Sequence, residues 1–300
     1  AEHARAIGAV LALALGWAFA HPAQAQNAGP LLLRAGETQR VTQRAADRVS
    51  FVVEIATRGD YLLRVEQGGL DLVVTLASPG GGNESFNSPL LRNEPELVVL
   101  ADRLAGRYTV TLSSTEYSET VAKPVVELVP LAQSDSRERE ALQAMSRGAA
   151  ANSAGGDEAW HAAVAEYERA ADSWHQLGRR REEAQALFAV AMVEFWQLYA
   201  WQRSADFAER AATLYTALGE PSLAASSTEL RASALVESAL EAGKTDPTQA
   251  EPLFARALAL FGAVRVVQQR LAHQVILHGT VDVHLDHCAG RHALDARHEH

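Results

Sequence analysis

The second half of the chain repeats a phrase with small residues at i and i+7 and a small or aromatic residue at i+4. Its four copies are 41, 46 and 39 residues apart and begin at Ala163, Ser204, Ala250 and Ala289. The first and third copies carry an aromatic residue at the middle position, and they comprise Ala163, Tyr167, Ala170, Ala250, Phe254 and Ala257. This spacing puts each copy on one face of an α-helix. A repeat of about 40 residues predicts stacked helical units that bury their apolar faces only against neighbouring units.

Turn and capping residues predict where these helices begin and end. Gly178 and Gly219 suit the left-handed conformation that follows a helix C-terminus, and Pro221 and Pro247 suit the first helical position. The predicted helix pairs are 135–151 with 158–177, 182–199 with 203–218, 221–242 with 246–262, and 265–284 with 289–300. The last pair has no polar capping helix after it, so we expect residues 132–300 to form an array whose final repeat is incomplete or uncapped.

The small–aromatic–small pattern of Ala163, Tyr167 and Ala170 resembles the second helix of tetratricopeptide repeats. The resemblance implies that the small residues let two helices approach closely and that the aromatic ring fills the space between repeats. A period near 40 is longer than the common 34 residues of this family. The expected architecture is therefore an all-α solenoid of long repeats with a concave face.

Residues 26–131 follow a different pattern of short β-rich runs between Gly-containing turns. The clearest runs are VSFVVEIA, YLLRVE, LDLVVTLA, ELVVLA and YTVTL, at residues 49–56, 61–66, 70–77, 96–101 and 108–112. No stretch of helical periodicity fits between them. Six or seven such strands predict an antiparallel β-sandwich, and the whole chain is expected to be a multidomain β plus α protein.

Three phrases of this segment, at residues 59–65, 70–76 and 104–110, resemble the bacterial pre-peptidase C-terminal domain. That family is a jelly-roll-like β-sandwich found on exported proteins. The resemblance implies a module without catalytic activity whose polar loops sometimes bind calcium or carbohydrate. Asp60, Asp71 and Asp102 are the calcium candidates, although acidic residues at turns commonly bind the turn backbone instead.

The N-terminus has the pattern of an export signal. Residues 7–20 form a 14-residue apolar run, shorter than the roughly 20 residues that span a bilayer. Pro22 and then Ala23-Gln24-Ala25, an A-x-A cleavage pattern, follow it. We expect residues 1–25 to be removed, which leaves a periplasmic or secreted product with no membrane span. The alternative is that this run is a buried or membrane-anchoring helix.

The order of export signal, sandwich and repeats resembles the N-terminal half of exported bacterial proteins that end in a CHAT domain, a caspase-like cysteine peptidase module. The resemblance covers most of residues 26–270 and implies a regulatory or sensor role for this half. The sequence ends at His300 without a peptidase domain. The corresponding expectation is a fragment, a truncated reading frame or a degenerate paralogue.

Charge and motif content argue against several function classes. The formal net charge is −10, and no segment is basic enough to attract nucleic acid or anionic lipid. The one cysteine, Cys288, excludes an intrachain disulfide. The sequence contains no G-x-S-x-G, P-loop, H-E-x-x-H or G-x-G-x-x-G pattern in the required context. We therefore expect neither an enzyme nor a cofactor.

Seven of the eleven histidines follow Ala272. His278 and Cys288 could form a caspase-like dyad, but they are ten residues apart, whereas caspases separate these residues by about 50. Spacings of three to five place three further histidines and Cys288 along one helix face, which makes them weak candidates for a transition metal; the residues are His284, His287, Cys288 and His292. The alternative is a solvated helix of biased composition, and we expect no resident metal.

Aromatic residues cluster at 195–201, where Trp196 and Tyr199 lie near the end of a predicted first helix. Repeat arrays use most aromatic residues between repeats, but these two are the candidates for a peptide-binding groove. The leading hypothesis is a non-catalytic exported scaffold that binds a protein or peptide on the concave face. The alternatives are the sensor half of a CHAT-type peptidase and a metal-binding tail.

Overall fold

The computed structural model describes residues 31–90, 92, 94–116 and 120–278. From Leu32 onward they form one compact unit, in which a β-rich part is followed by six helices. The predicted export signal and the predicted metal candidates lie outside the described residues. Over the described part of the chain, no helix combines the length and apolarity that a bilayer crossing requires.

The described strands are short, and most alternate between buried and exposed residues. They are β1 (Leu32–Arg34), β2 (Thr38–Arg40), β3 (Gln43–Arg44), β4 (Val49–Ile55), β5 (Gly59–Glu66), β6 (Leu72–Ala77), β7 (Asn83–Phe86), β8 (Glu96–Arg103), β9 (Gly106–Ser114), β10 (Val121–Ala122) and β11 (Val125–Pro130). In β4, for example, Phe51, Val53 and Ile55 are buried, while the residues between them are more exposed. This period of two gives each sheet one apolar face.

Two sheets pack around a shared apolar core. One has the order β1-β4-β9-β6-β7 and the other the order β2-β11-β5-β8, with β3 and β10 forming a separate short pair. Strand pairs are antiparallel apart from β1 with β4. Val110 of the first sheet and Leu63 and Leu128 of the second belong to the same fully buried cluster. The prediction of an antiparallel β-sandwich ahead of a helical part is confirmed.

The six helices are α1 (Ser136–Ala154), α2 (Asp157–Gln176), α3 (Arg180–Trp196), α4 (Trp201–Ala217), α5 (Pro221–Thr245) and α6 (Pro247–His278). Loops of one to four residues join them, so consecutive helices run antiparallel. Each helix packs against the next one in sequence. The helices α2 and α4 end in the same way, because Gly178 (φ +69°) and Gly219 (φ +72°) take left-handed conformations. The amides of Arg179 and Glu220 then bond back to the carbonyls of Trp174 and Tyr215, at 2.9 and 3.0 Å.

The predicted helix break near residue 263 is wrong. Where the repeat spacing predicted one helix ending at 262 and another beginning at 265, α6 continues to His278. The segment around Gly262 contains no proline and no capping side chain. A single internal glycine costs a helix about 1 kcal/mol, which good helix formers on both sides offset. The repeat period alone therefore misplaced the boundary.

The sandwich and the helices share contacts rather than meeting at a simple linker. Helix α1 packs against β7 and β8, and Ala149 of α1 belongs to the sandwich core. In the other direction, Leu90 of the β7–β8 segment belongs to the helical core. Ser146 of α1 accepts a 2.9 Å hydrogen bond from the backbone amide of Val99 in β8. These contacts hold the helices against one edge of the sandwich.

Candidate functional site

Helix α3 is enclosed over most of its length. Every residue from Glu183 to Phe195 is buried, because α2 and α4 flank the helix and the β7–β8 segment reaches it. Glu94 of that segment accepts hydrogen bonds from Arg181 (Nη2–Oε1, 3.1 Å) and from Gln185. The first helices of the first two pairs, α1 and α3, thus each use part of their surface to contact the β-rich part.

Arg181 is the residue that ties three elements together. Its guanidinium donates to Glu94 and, through Nε at 2.9 Å, to Glu220 before α5. In the sequence, Arg181 is the last of three consecutive arginines (Arg179–Arg181), and nothing local marks it as different from the other two. Arg179 does behave as a solvated residue: its side chain is 58% exposed and its nearest carboxylate, that of Glu138, is 3.9 Å away.

Two buried carboxyl groups lie on the same segment. Burial raises the pKa of Glu94, although Arg181 and Gln185 act in the opposite direction. Burial raises the pKa of Glu96 further, to about 8, against the lowering effect of the Ser88 hydroxyl and amide that donate to it. Glu96 therefore holds its proton at neutral pH inside the fold. These groups are structural, because both are enclosed where sandwich and helices meet.

Two exposed aromatic residues lie at the connection between α3 and α4, which we call the α3–α4 turn (residues 196–201). Trp196 is 43% exposed and Tyr199 is 66% exposed. The Tyr199 ring makes an edge contact with Trp201 at 6.3 Å between centroids, and Trp196 makes one with Phe195 at 4.7 Å. Both sequence candidates for peptide binding thus present an aromatic ring to solvent.

Backbone hydrogen bonds fix the shape of this turn. Tyr199 has a left-handed backbone (φ +53°), which is uncommon for a bulky residue. The amide of Ala200 donates to the carbonyl of Glu194 at 2.8 Å, and the amide of Leu198 donates to that of Val193 at 3.1 Å. A rigid turn loses little conformational entropy when it binds, so its rings are well suited to contact a partner.

A network of charged side chains joins α2, α3 and α4 next to the α3–α4 turn. Arg203 of α4 donates through Nε to Glu194 at 2.9 Å and through Nη2 to Glu168 of α2 at 2.9 Å. Glu194 is nearly fully buried, and burial raises its pKa while Arg203 opposes the shift. Arg203 and Arg210 both lie over the ring of Phe207, at 5.8 and 5.1 Å from its centroid. The turn therefore combines exposed rings with an ion pair between Arg203, at the start of α4, and the buried Glu194.

The structure buries most of the repeat-signature residues. Ala163, Ala170 and Tyr167 are completely buried, and in the third copy Ala250 and Ala257 are also buried. Their role is therefore in packing, as the small–aromatic–small pattern implies. Phe254 differs, because 40% of its surface is exposed.

The calcium candidates are engaged in turn hydrogen bonds. Asp60 accepts the amide of Asp102 at 2.7 Å, and the carboxylate of Asp102 receives two bonds from Arg58. Asp71 lies elsewhere and accepts a bond from Thr115 at 2.9 Å. Within the described residues, no three His, Cys, Asp or Glu side chains are grouped as metal ligands would be.

The histidine-rich candidates cannot be placed. His284, His287, Cys288 and His292 lie outside the described residues, as does Cys288 of the predicted dyad. For His278, the structure describes only that its backbone ends α6.

Comparisons with known proteins give weak likenesses. No family model matches the sequence, and no curated protein matches it. Among solved structures, one similar chain is the pre-peptidase C-terminal domain of a collagenase from Bacillus anthracis, at 9% identity and a TM-score of 0.25, covering 33% of this chain and 95% of that one.

Two further similar structures are PliG proteins, each described as a periplasmic inhibitor of g-type lysozyme. The one from Aeromonas hydrophila has 8% identity and a TM-score of 0.25, covering 33% of this chain and 96% of that one. The one from Salmonella Typhimurium has 14% identity and a TM-score of 0.23, covering 33% and 97%. At these TM-scores the likenesses assign neither a family nor an activity.

Proposed function

We propose that this chain is a non-catalytic binding protein that holds a protein or peptide partner at the α3–α4 turn. The observation that carries the proposal is the exposure of Trp196 and Tyr199 on a hydrogen-bonded turn. Aromatic side chains with an apolar body and a polar atom are enriched at interface hot spots. Exposed large aromatic residues grouped on one surface commonly mark such sites.

The location differs from a groove along the first helices. Because α1 packs on the sandwich and α3 is enclosed, the exposed rings of Trp196 and Tyr199 lie at the end of the α3–α4 hairpin and not along the first helices. Arg203, in the first turn of α4, already pairs with Glu194 and Glu168, so the exposed rings supply the contact surface. A partner segment with an aromatic, proline or aliphatic anchor would match this chemistry.

The wider assignment is also a proposal. The repeated small–aromatic–small phrase and the two matching glycine helix ends support a tetratricopeptide-like solenoid. The apolar run at residues 7–20 with its A-x-A pattern supports export to the periplasm or medium. If the chain is instead the sensor half of a CHAT-type peptidase, the same turn is the surface that would receive the signal.

The test is selection of binding peptides on the full chain, followed by measurement with substituted chains. A displayed random-peptide library would supply a ligand, and fluorescence anisotropy would measure its affinity. We expect Trp196→Ala and Tyr199→Ala each to weaken binding by at least about tenfold, as hot-spot residues do. The matched control is Leu104→Ala, because Leu104 in the sandwich has similar exposure, at 63%, to Tyr199.

Circular dichroism would verify that each variant keeps its helices. Peptides that bind equally well to all variants would refute the assignment to the α3–α4 turn. A selection that yields no specific peptide would count against the binding function itself.

A further inference from the structure

Helix α6 carries an exposed stripe along one flank. Phe254, Leu258 and Phe261 are 40%, 74% and 37% exposed, although all three are large apolar residues. Glu251 and Arg265, both exposed, extend the stripe at either end. The five positions follow spacings of three and four residues, which is the a and d pattern of a helix-pairing seam.

The equivalent positions of α2 and α4 are buried. When the repeat phrases are aligned, Phe254, Leu258 and Phe261 correspond to Tyr167, Ala171 and Trp174 of α2. Those three α2 residues are 0%, 3% and 3% exposed. In α4 the first and last equivalents, Ala208 and Tyr215, are both 0% exposed.

The helices differ in the number of helices that they contact. Helix α2 contacts α3 as well as α1, and α4 contacts α5 as well as α3. Among the described elements, α6 packs against α5 alone. The stripe is therefore exposed among the described elements, and it forms a seat on which one more helix can pack.

We propose that a second copy of this chain occupies the seat, with the two α6 helices antiparallel about a two-fold axis at Leu258. Glu251 and Arg265 lie seven residues before and after Leu258, which is an equal distance of about 10.5 Å along the helix in each direction. An antiparallel pair centred there sets Glu251 of each copy opposite Arg265 of the other. A parallel pair would instead set like charges opposite one another.

The charge pattern thus makes the stripe complementary to itself in one orientation. Each copy would contribute the same patch, as a two-fold interface requires. The proposal goes beyond the binding function of the α3–α4 turn, since it uses a different helix and different residues. Either one can fail without the other.

The first test is the mass of the full chain in solution, by light scattering or sedimentation, at concentrations up to about 100 µM. We expect a dimer. Glu251→Arg alone and Arg265→Glu alone should each weaken the dimer by at least about tenfold, because each creates two like-charge contacts. An equimolar mixture of these two variants should form a heterodimer, because both contacts are then between opposite charges.

A second test places the two-fold axis. In a Cys288→Ser background, Leu258→Cys should give a covalent dimer on mild oxidation, because position 258 faces its own copy. Leu104→Cys, at an exposed sandwich position, is the matched control and should stay uncrosslinked. Since Leu258 and Leu104 are both exposed in the single chain, circular dichroism should show that each variant keeps its helices.

Three results would overturn the proposal. The chain could remain monomeric over the whole concentration range. It could dimerise with no response to the charge substitutions. It could also be monomeric with the thiol at position 258 protected from alkylation, which would mean that another segment of the same chain covers the stripe.

Discussion

Replacing Glu96 by glutamine should remove a specific pH dependence of stability. The carboxyl group is completely buried, and burial raises its pKa from an ordinary 4.5 to about 8. The folded pKa is above the unfolded pKa, so the unfolded chain loses the proton first as pH rises. Between these two values the folded state binds more protons than the unfolded state, and the stability of the folded state falls with rising pH.

The magnitude follows from the separation of the two pKa values. Each pH unit inside the window costs about 1.4 kcal/mol of unfolding free energy. From pH 5 to pH 7.5 the loss attributable to Glu96 amounts to about 3 kcal/mol. Glutamine is neutral and close in shape, so it can keep a hydrogen bond with Ser88 without this cost. The quantity to compare is the unfolding free energy of Glu96→Gln minus that of the wild type. We expect this difference to rise by about 3 kcal/mol between pH 5 and pH 7.5.

The assay is urea unfolding followed by circular dichroism at pH 5, 6, 7 and 7.5, analysed as the difference between the two chains. The control is Glu66→Gln, whose side chain is 47% exposed on the adjacent strand β5. That difference should stay nearly constant over the same window. A difference for Glu96→Gln that does not change with pH would refute the argument, because it would mean that Glu96 ionises inside the fold at its ordinary pKa.

Three further predictions concern packing, an ion pair and processing. Arg181→Ala should lower the unfolding free energy, since it leaves the buried Glu94 without its cation. Because solvent partly screens Arg181, the loss should be about 1–3 kcal/mol. The control Arg179→Ala should change the unfolding free energy by less than about 0.5 kcal/mol. Gly148→Ala should lower the unfolding free energy by about 1–3 kcal/mol in chemical unfolding, since the added Cβ would lie 2.6 Å from the Tyr167 ring. In a double-mutant cycle, adding Tyr167→Leu should remove much of the loss that Gly148→Ala causes. Additive effects of the two substitutions would contradict the clash. Mass spectrometry of the native protein should find a chain that begins after Ala25, and a mass that includes residues 1–25 would contradict cleavage.

Local chemistry explains the parts of the fold that sequence analysis predicted well. The ends of α2 and α4 depend on Gly178 and Gly219, because glycine adopts the required left-handed conformation at little cost. The start of α5 depends on Pro221, whose fixed φ suits the first helical position. The alternation of Phe51, Val53 and Ile55 identifies β4 by the period of two. In each case the relevant residues are neighbours in the chain.

The parts that sequence analysis missed depend on residues far apart in the chain. Glu94 and Arg181 are 87 positions apart, and no local pattern distinguishes Arg181 from Arg179. The exposure of Trp196 and Tyr199 depends on what packs around the end of α3, whereas Trp174, an equally aromatic residue, is buried. The continuation of α6 past Gly262 is an exception, because it follows from local helix propensity, which the repeat spacing overrode in the prediction.

The exchange of residues between the two cores limits how this chain can be recombined. Leu90 belongs to the helical core although it precedes β8, and Ala149 belongs to the sandwich core although it lies in α1. A crossover at residue 132, between the last strand and the first helix, would give two products that each lack a piece of their own interior. The sandwich and its first helices should therefore be inherited together, and a functional chimera would need its junction after α3 or later.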